Sequence, residues 1–302
     1  MKLTHESNSI PVLQVRDNCL VYYHRHEYNS PKSRRGIELD PLKKSEVFSR
    51  EAYSGQVTKG VKKRMKSALD IFLQTTETHQ VYNTVTGKHM DFRLGFATMT
   101  ISDTCTWKAD LCYTRLLKPF MRVMKNKYGV EKYIWKYELQ NRGNVHYHVT
   151  WDVFVEHDKI RSTWNKEQKK WGLTDQYAKI YGHFNPNSTD IHKVWKIKNI
   201  GAYLGKYLTK NNNRVLCEHG GFQQVYFDRA VKGKVWDCST DLKRGRFNVE
   251  VCAENQDRVA WYVEHGKAEI INNDNCTIIK CASPEKILTE EQKIDYMVWK
   301  YA

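Results

Sequence analysis

His146-Tyr147-His148 is the arrangement in this sequence that most directly suggests chemistry. In a strand, side chains alternate faces, so both imidazoles point one way and Tyr147 the other. Two parallel imidazoles can offer two nitrogens to one divalent ion, although an isolated pair reads equally as polar decoration of an exposed sheet. A carboxylate is the missing third donor, and Glu138 lies eight positions before His146. If the intervening NRGN closes as a three-residue turn, Glu138 falls across from His148 on the imidazole face. A two-residue turn sets Leu139 opposite His146 and sends Glu138 to the other face. Both registers remain open; a carboxylate on the covered face would lack a partner, which favours the first. Oxygen and imidazole donors with open positions suit Mg²⁺ or Mn²⁺, with Zn²⁺ a competent substitute.

The second candidate is Tyr203-Leu204-Gly205-Lys206-Tyr207-Leu208-Thr209-Lys210. On a helix the two tyrosines stack on one face, with Lys210 near the same line and Lys206 flanking them. Alone, this is an ordinary amphipathic helix with half-buried tyrosines and solvated lysines. A phenol with a pKa of about 10 is a poor nucleophile until a cation or metal field stabilises its phenolate. The two candidates are halves of one possible reaction. A metal polarises a phosphate while tyrosine attacks in line, a 3′ oxygen leaves, and a 5′-phosphotyrosine retains the bond energy.

Several elements must position these residues. VKKRMKSALDIFLQ, within 58–75, places Val61, Met65, Ala68, Leu69 and Phe72 at helical spacing, with Lys62, Lys63 and Lys66 on another face. FRLGFATMTI at 92–101 reads as a strand. Leu111, Leu116, Leu117, Phe120, Met121 and Met124 form a helical stripe ending near Gly129, with Pro119 able to kink it. KYIWKYELQ and VHYHVTWDVFV form a hairpin, residues 157–171 a helix, TDIHKVWKI an irregular strand, and IGAYLGKYLTK the tyrosine helix. The order predicts an α+β fold: an antiparallel sheet with helices on one face, in a split βαβ layer, plus N- and C-terminal additions. The predicted boundaries are a helical or irregular extension over 1–90, a core over 91–213 and a C-terminal extension over 214–302 that packs on the core.

These motifs resemble the HUH-superfamily replication initiators of rolling-circle plasmids and single-stranded DNA phages. Rep-like proteins of Bacteroidota elements and microvirus-type phages are the nearest in pattern. GFATMTISD at 95–103 is similar to the first motif of that group and NVHYH at 144–148 to the second. Tyr203, Lys206, Tyr207 and Lys210 are similar to the third in its two-tyrosine form. The resemblance implies His146 and His148 as metal ligands, Glu138 as the acidic ligand, and Tyr203 and Tyr207 as nucleophiles assisted by Lys206 and Lys210. It implies an origin-specific DNA nicking and joining enzyme acting on single-stranded or hairpin origin DNA, with a separate host helicase and polymerase. Arg161, Trp164 and Asn165 and the KVWDCSTDL stretch at 234–242 also resemble this group, and Asp103 follows the first motif.

Composition narrows the alternatives. With 49 Lys and Arg against 34 Asp and Glu, the formal charge of +15 suits a polyanionic partner. Sixteen Gly and six Pro exclude a collagen-like or Pro-rich chain. No signal-peptide core, membrane-length apolar run or nucleotide-binding P-loop is present, so a location in the bacterial host cytoplasm and external strand separation are expected. Eight cysteines without a CxxC pair read as reduced thiols, and a zinc site at Cys217, His219 and Cys238 is a minor alternative. Arg34, Arg35, Lys118, Arg122, Lys125 and Lys127 are candidate phosphate contacts, and Trp107, Tyr113, Trp135, Tyr137, Trp151 and Trp195 candidate base-stacking residues. The competing functions are a transposase or relaxase of the same superfamily, and a non-catalytic RRM-like nucleic-acid-binding protein.

Overall fold

The computed structural model of the chain describes residues 9–26, 58–102, 105–107, 109–139, 145–192, 200–209, 214–216, 222–224 and 234–301. The chain divides into two compact units, Met1–Ser49 with Gly245–Ala302, and Arg50–Arg244. These divisions differ from the sequence boundaries at 90 and 213, because strand pairing gathers segments more than two hundred residues apart.

Strands β1 (Ser9–Val15) and β2 (Cys19–His26) open the smaller unit as an antiparallel pair. The larger unit begins with α1 (Lys59–Thr75), whose N-terminus is capped by Thr58 Oγ1 accepting from the Val61 amide at 3.2 Å. The expected apolar stripe is buried at Met65, Ala68, Leu69 and Phe72, and Lys132 Nζ donates to Thr75 O at the helix C-terminus. A hairpin absent from the sequence reading follows, β3 (His79–Asn83) and β4 (Lys88–Phe92), turned at Gly87 with φ +65°. β5 (Gly95–Thr100) is therefore shorter than the strand read over 92–101.

Helix α2 is built of an α-helical turn Ala109–Cys112, a π-helical turn Tyr113–Leu117 and an α-helix Lys118–Tyr128. Pro119 lacks the amide that would bond Arg115 O. The helix widens there, Lys118 N reaches back to Tyr113 O, and the Trp171 indole donates to Arg115 O at 3.3 Å. Gly129, at φ +74°, ends the helix where expected.

The hairpin strands are β6 (Tyr133–Leu139) and β7 (Val145–Trp151), followed by α3 (His157–Lys169), α4 (Asp175–Tyr181) and β8 (Thr189–Ile191). Then come α5 (Ile200–Thr209), a short pair β9 (Arg214–Leu216) and β10 (Phe222–Gln224), and β11 (Trp236–Cys238). The main sheet runs β11-β6-β7-β5-β8, antiparallel throughout. KVWDCSTDL thus has a structural part: it supplies the edge strand beside β6. The α+β class with antiparallel sheets and packed helices is as expected.

One face of this sheet presents Ala97, Met99, Trp135, Tyr137, Tyr147, Val149 and Trp151 to Leu116, Leu117, Phe120 and Met124 of α2 and Trp164 of α3. The expected helix layer lies here. The opposite face is not open: α5 crosses it and packs on α1.

The smaller unit is completed by β12 (Asn248–Glu250), α6 (Ala253–Glu264), β13 (Ala268–Asn273), β14 (Cys276–Cys281) and α7 (Glu290–Tyr301). Its sheet order is β12-β1-β2-β14-β13, and Leu13, Val15, Leu20, Ile279, Ile287, Leu288 and Tyr296 form its core. Among the described residues, no helix is long and apolar enough to cross a membrane.

Candidate active site

Strand alternation brings four ionisable side chains of the hairpin to one face. Glu138 pairs directly with His146, and Lys136 with His148. Leu139 and Val145 are the last pair before the connection, so the register is neither of the two considered from sequence. Glu138 nevertheless shares the imidazole face and reaches diagonally to His148, with Oε2 to Nε2 at 2.5 Å. The pair is buried, Glu138 at 7% exposure and His148 at 5%. Thr98, across from His148 on β5, places Oγ1 3.1 Å from His148 Nδ1. Tyr147 points to the other face as alternation demands, and burial pushes its phenol well above its ordinary value.

Helix α5 supplies the phenols. Leu204 is fully buried, anchoring the helix, while Tyr203 and Tyr207 are half-buried toward the site. The Tyr207 ring lies 5.3 Å from that of His148 and 5.2 Å from that of Phe96. Tyr203 Oη lies 3.4 Å from Tyr207 Oη and 2.9 Å from His192 Nδ1. Burial, then the hydrogen bond to Tyr207 and its charge, raises the Tyr203 phenol above its ordinary pKa. A phenol so placed needs a proton acceptor or a nearby positive charge before it can attack.

Two residues here escaped the sequence reading. Lys136 is fully buried on the site face, and its Nζ donates to Tyr207 O at 3.3 Å. The alternation K-x-E in β6 opposite H-x-H in β7 was a usable signal for it. His192, just past β8, reaches the site because β8 pairs with β5, a long-range contact that no local pattern announces. By contrast Lys206 is exposed on α5. Lys210, Arg34, Arg35, Asp103, Trp195, Cys217 and His219 lie outside the described residues.

The structure does not bring every candidate to this face. Lys118, Arg122, Lys125 and Lys127 are exposed on α2, which packs on the opposite side of the sheet. Trp135, Tyr137 and Trp151 are core residues at 1% exposure, which corrects their assignment as base-stacking candidates: the sheet–helix interface occupies their faces. Trp107 and Tyr113 are partly buried against that core. Cys238 is buried in β11, and burial pushes its thiol up to about 11.

Two imidazoles and a carboxylate on one face are a fitting donor set for Mg²⁺ or Mn²⁺. In the observed arrangement, His148 Nε2 and Glu138 Oε2 are bonded to each other, so an ion must part them to bind. Among the described residues, no group of three His, Cys, Asp or Glu is already drawn together around a common point.

Fold and site together define an α+β protein whose antiparallel sheet carries a His-x-His pair facing a two-tyrosine helix. Residues 95–212 match a family model described as replication-associated protein, of the ORF2 and gene-2-protein type. The matched stretch begins at the first residue of β5 and ends just beyond α5, so it contains every residue of this site. The match supports a replication-initiator family and a role in DNA replication. Neither the curated proteins nor the solved structures include a match to this chain.

Proposed function

We propose that this protein is a metal-dependent, origin-specific single-stranded DNA endonuclease and strand transferase that initiates rolling-circle replication. The observation that carries this reading is the convergence of Tyr203 and Tyr207 with His148 and Glu138 over one sheet face. A divalent ion, Mg²⁺ or Mn²⁺, held by His146, His148 and Glu138 would supply Lewis-acid polarisation of the scissile phosphate.

The chain's own residues do the rest. Tyr203 Oη bonds to phosphorus, the P–O3′ bond breaks, and a 3′-hydroxyl strand leaves while the 5′ side stays on tyrosine. The buried Lys136 ammonium places fixed positive charge beside the phenols, where solvent screening is weak. Lys206 and Lys210 neutralise phosphates flanking the scissile one. Tyr207, one helical turn on, is the second nucleophile for a following cleavage. The substrate is single-stranded or hairpin origin DNA, since a duplex would not let a phosphate descend to a sheet face covered by α5. Lys118, Arg122, Lys125 and Lys127 then serve DNA beyond the cleavage point, and host helicase and polymerase supply unwinding and synthesis.

The non-catalytic RRM-like reading loses support because Trp135, Tyr137 and Trp151 are unavailable to bases. The deciding experiment uses a randomised pool of single-stranded oligonucleotides labelled at the 3′ end, incubated with Mn²⁺ and resolved on denaturing gels. The wild-type protein is expected to retain label covalently, Tyr203→Phe to retain far less, and Tyr203→Phe with Tyr207→Phe none. Equal labelling of the double variant would defeat the proposal.

A further inference from the structure

His192 has no part in the chemistry above, yet it is bonded to the atom that would react. Its amide donates to Phe96 O at 2.9 Å, fixing it to the edge of β5, and its ring lies 4.8 Å from the Phe96 ring. Nδ1 is 2.9 Å from Tyr203 Oη, while Nε2 is 3.3 Å from Thr98 Oγ1 and 3.5 Å from Asp190 Oδ2. A neutral imidazole has one donor and one acceptor nitrogen. The Asp190 carboxylate can only accept, so Nε2 carries the hydrogen and Nδ1 is the acceptor that faces the Tyr203 hydroxyl.

The remaining bonds continue in the same direction. Thr98 can accept from His192 Nε2 and donate to His148 Nδ1, and His148 Nε2 can donate to Glu138. The titratable groups facing His192 are Asp190 on β8, His148 on β7, and Tyr203 and Tyr207 on α5. Burial lowers the imidazole's pKa, Asp190 opposes this and His148 adds to it, which leaves a neutral acceptor near pH 7. Among the described residues, the Tyr207 hydroxyl meets that of Tyr203, at 3.4 Å, but has no such bond to an imidazole.

We propose that His192 aligns the Tyr203 phenol and accepts its proton as the Tyr203 oxygen attacks, making Tyr203 rather than Tyr207 the first nucleophile. This inference rests on the nickase reading. The phenolic proton moves to His192 Nδ1 as the Oη–P bond forms. The electron pair of the breaking P–O3′ bond leaves with O3′, which takes a proton from water. The imidazolium returns its proton to solvent, so protons balance.

The test uses the full chain, Mn²⁺ and the randomised single-stranded DNA pool. His192→Ala is expected to slow adduct formation roughly 100-fold or more. The residual adduct should spread to Tyr207, and imidazole added to the buffer should restore the rate. His192→Asn, whose side-chain oxygen accepts the same bond without taking the proton, should keep the adduct on Tyr203 at a reduced rate. An unchanged rate in His192→Ala overturns the inference, as does a loss that neither imidazole nor the Asn variant moves. Nitrogen-resolved NMR of histidine in the DNA-free protein provides a check independent of nicking. His192 should be the Nε2–H tautomer, with an Nδ1 signal that shifts in Tyr203→Phe; an Nδ1–H tautomer would contradict the assignment. Absence of any wild-type adduct, with the expected tautomer present, would instead defeat the nickase reading on which the catalytic inference depends.

Discussion

Gly95→Ala is a one-methyl perturbation whose cost can be worked from the structure. Gly95 opens β5 directly across from Trp151. A Cβ at this position would lie 2.4 Å from Trp151 Cε2, 2.6 Å from Nε1 and 2.7 Å from Cζ2. The closest of these is about 1 Å inside the optimal separation of carbon atoms. The indole is a rigid ring in the core and cannot swing aside as a surface side chain would. Overpacking of this kind costs roughly 1–3 kcal/mol, and the rigidity of the neighbour puts this site near the top of that range. The lower chain entropy of alanine returns about 0.5–1 kcal/mol. A net loss of about 2 kcal/mol follows, or about 4–8 °C in Tm for a unit of this size. The consequence extends to the site, because the next residue, Phe96, underlies the rings of His192, Tyr207 and His148 at 4.8, 5.2 and 6.0 Å. Denaturant unfolding of the wild type, Gly95→Ala, Trp151→Phe and the double variant would measure the coupling. A smaller ring should relieve the clash, so the double variant should lose about 1 kcal/mol less than the two singles together. Wild-type stability in Gly95→Ala, or strict additivity, would refute the packing argument.

Other expected outcomes concern the ionisable groups. Glu138→Gln should lower Mn²⁺ affinity at least about 10-fold by titration calorimetry, with little change in unfolding temperature because the amide oxygen still accepts from His148. At the sheet edge, burial alone would raise the Asp237 carboxyl, yet bonds from Lys243 and Lys234 hold it below its ordinary value. Its stabilisation is complete above the unfolded carboxyl value of 3.8 and is lost as the pH falls through the lower folded value. Asp237→Asn should therefore cost about 1 kcal/mol at pH 7, since both lysines are half-exposed, and the gap should close in strong acid. A pH-independent gap in denaturant unfolding would contradict that pairing.

Legibility from sequence followed the range of the interactions. The shared face of His146 and His148 needs only the two-residue period of a strand, and Tyr203 and Tyr207 only the helical repeat. The register of Glu138 depended on how many residues join the hairpin strands, and chain composition does not fix that number. The cation beside the phenols was sought on α5, at Lys206; Lys136 across the sheet supplies it, because α5 folds over β6. His192 became visible only when β8 paired with β5. The smaller unit was hidden for the same reason, with β1 finding β12 and β2 finding β14 from opposite ends of the chain. Aromatic residues misled in the other direction, since Trp135 or Trp151 suits a stacking platform and a core equally until the helix layer is placed.

The central claim is that one phosphate meets the Tyr203 phenol at the His-x-His face, and the covalent product records where it reacted. Trypsin cleaving after Lys206 puts Tyr203 and Tyr207 on separate peptides, 199–206 and 207–210. Mass mapping of the DNA-linked peptide after reaction with Mn²⁺ and single-stranded DNA is predicted to find the nucleotide on 199–206, at Tyr203. A nucleotide attached anywhere else than these two tyrosines, or no attachment while DNA is still bound, would contradict the account.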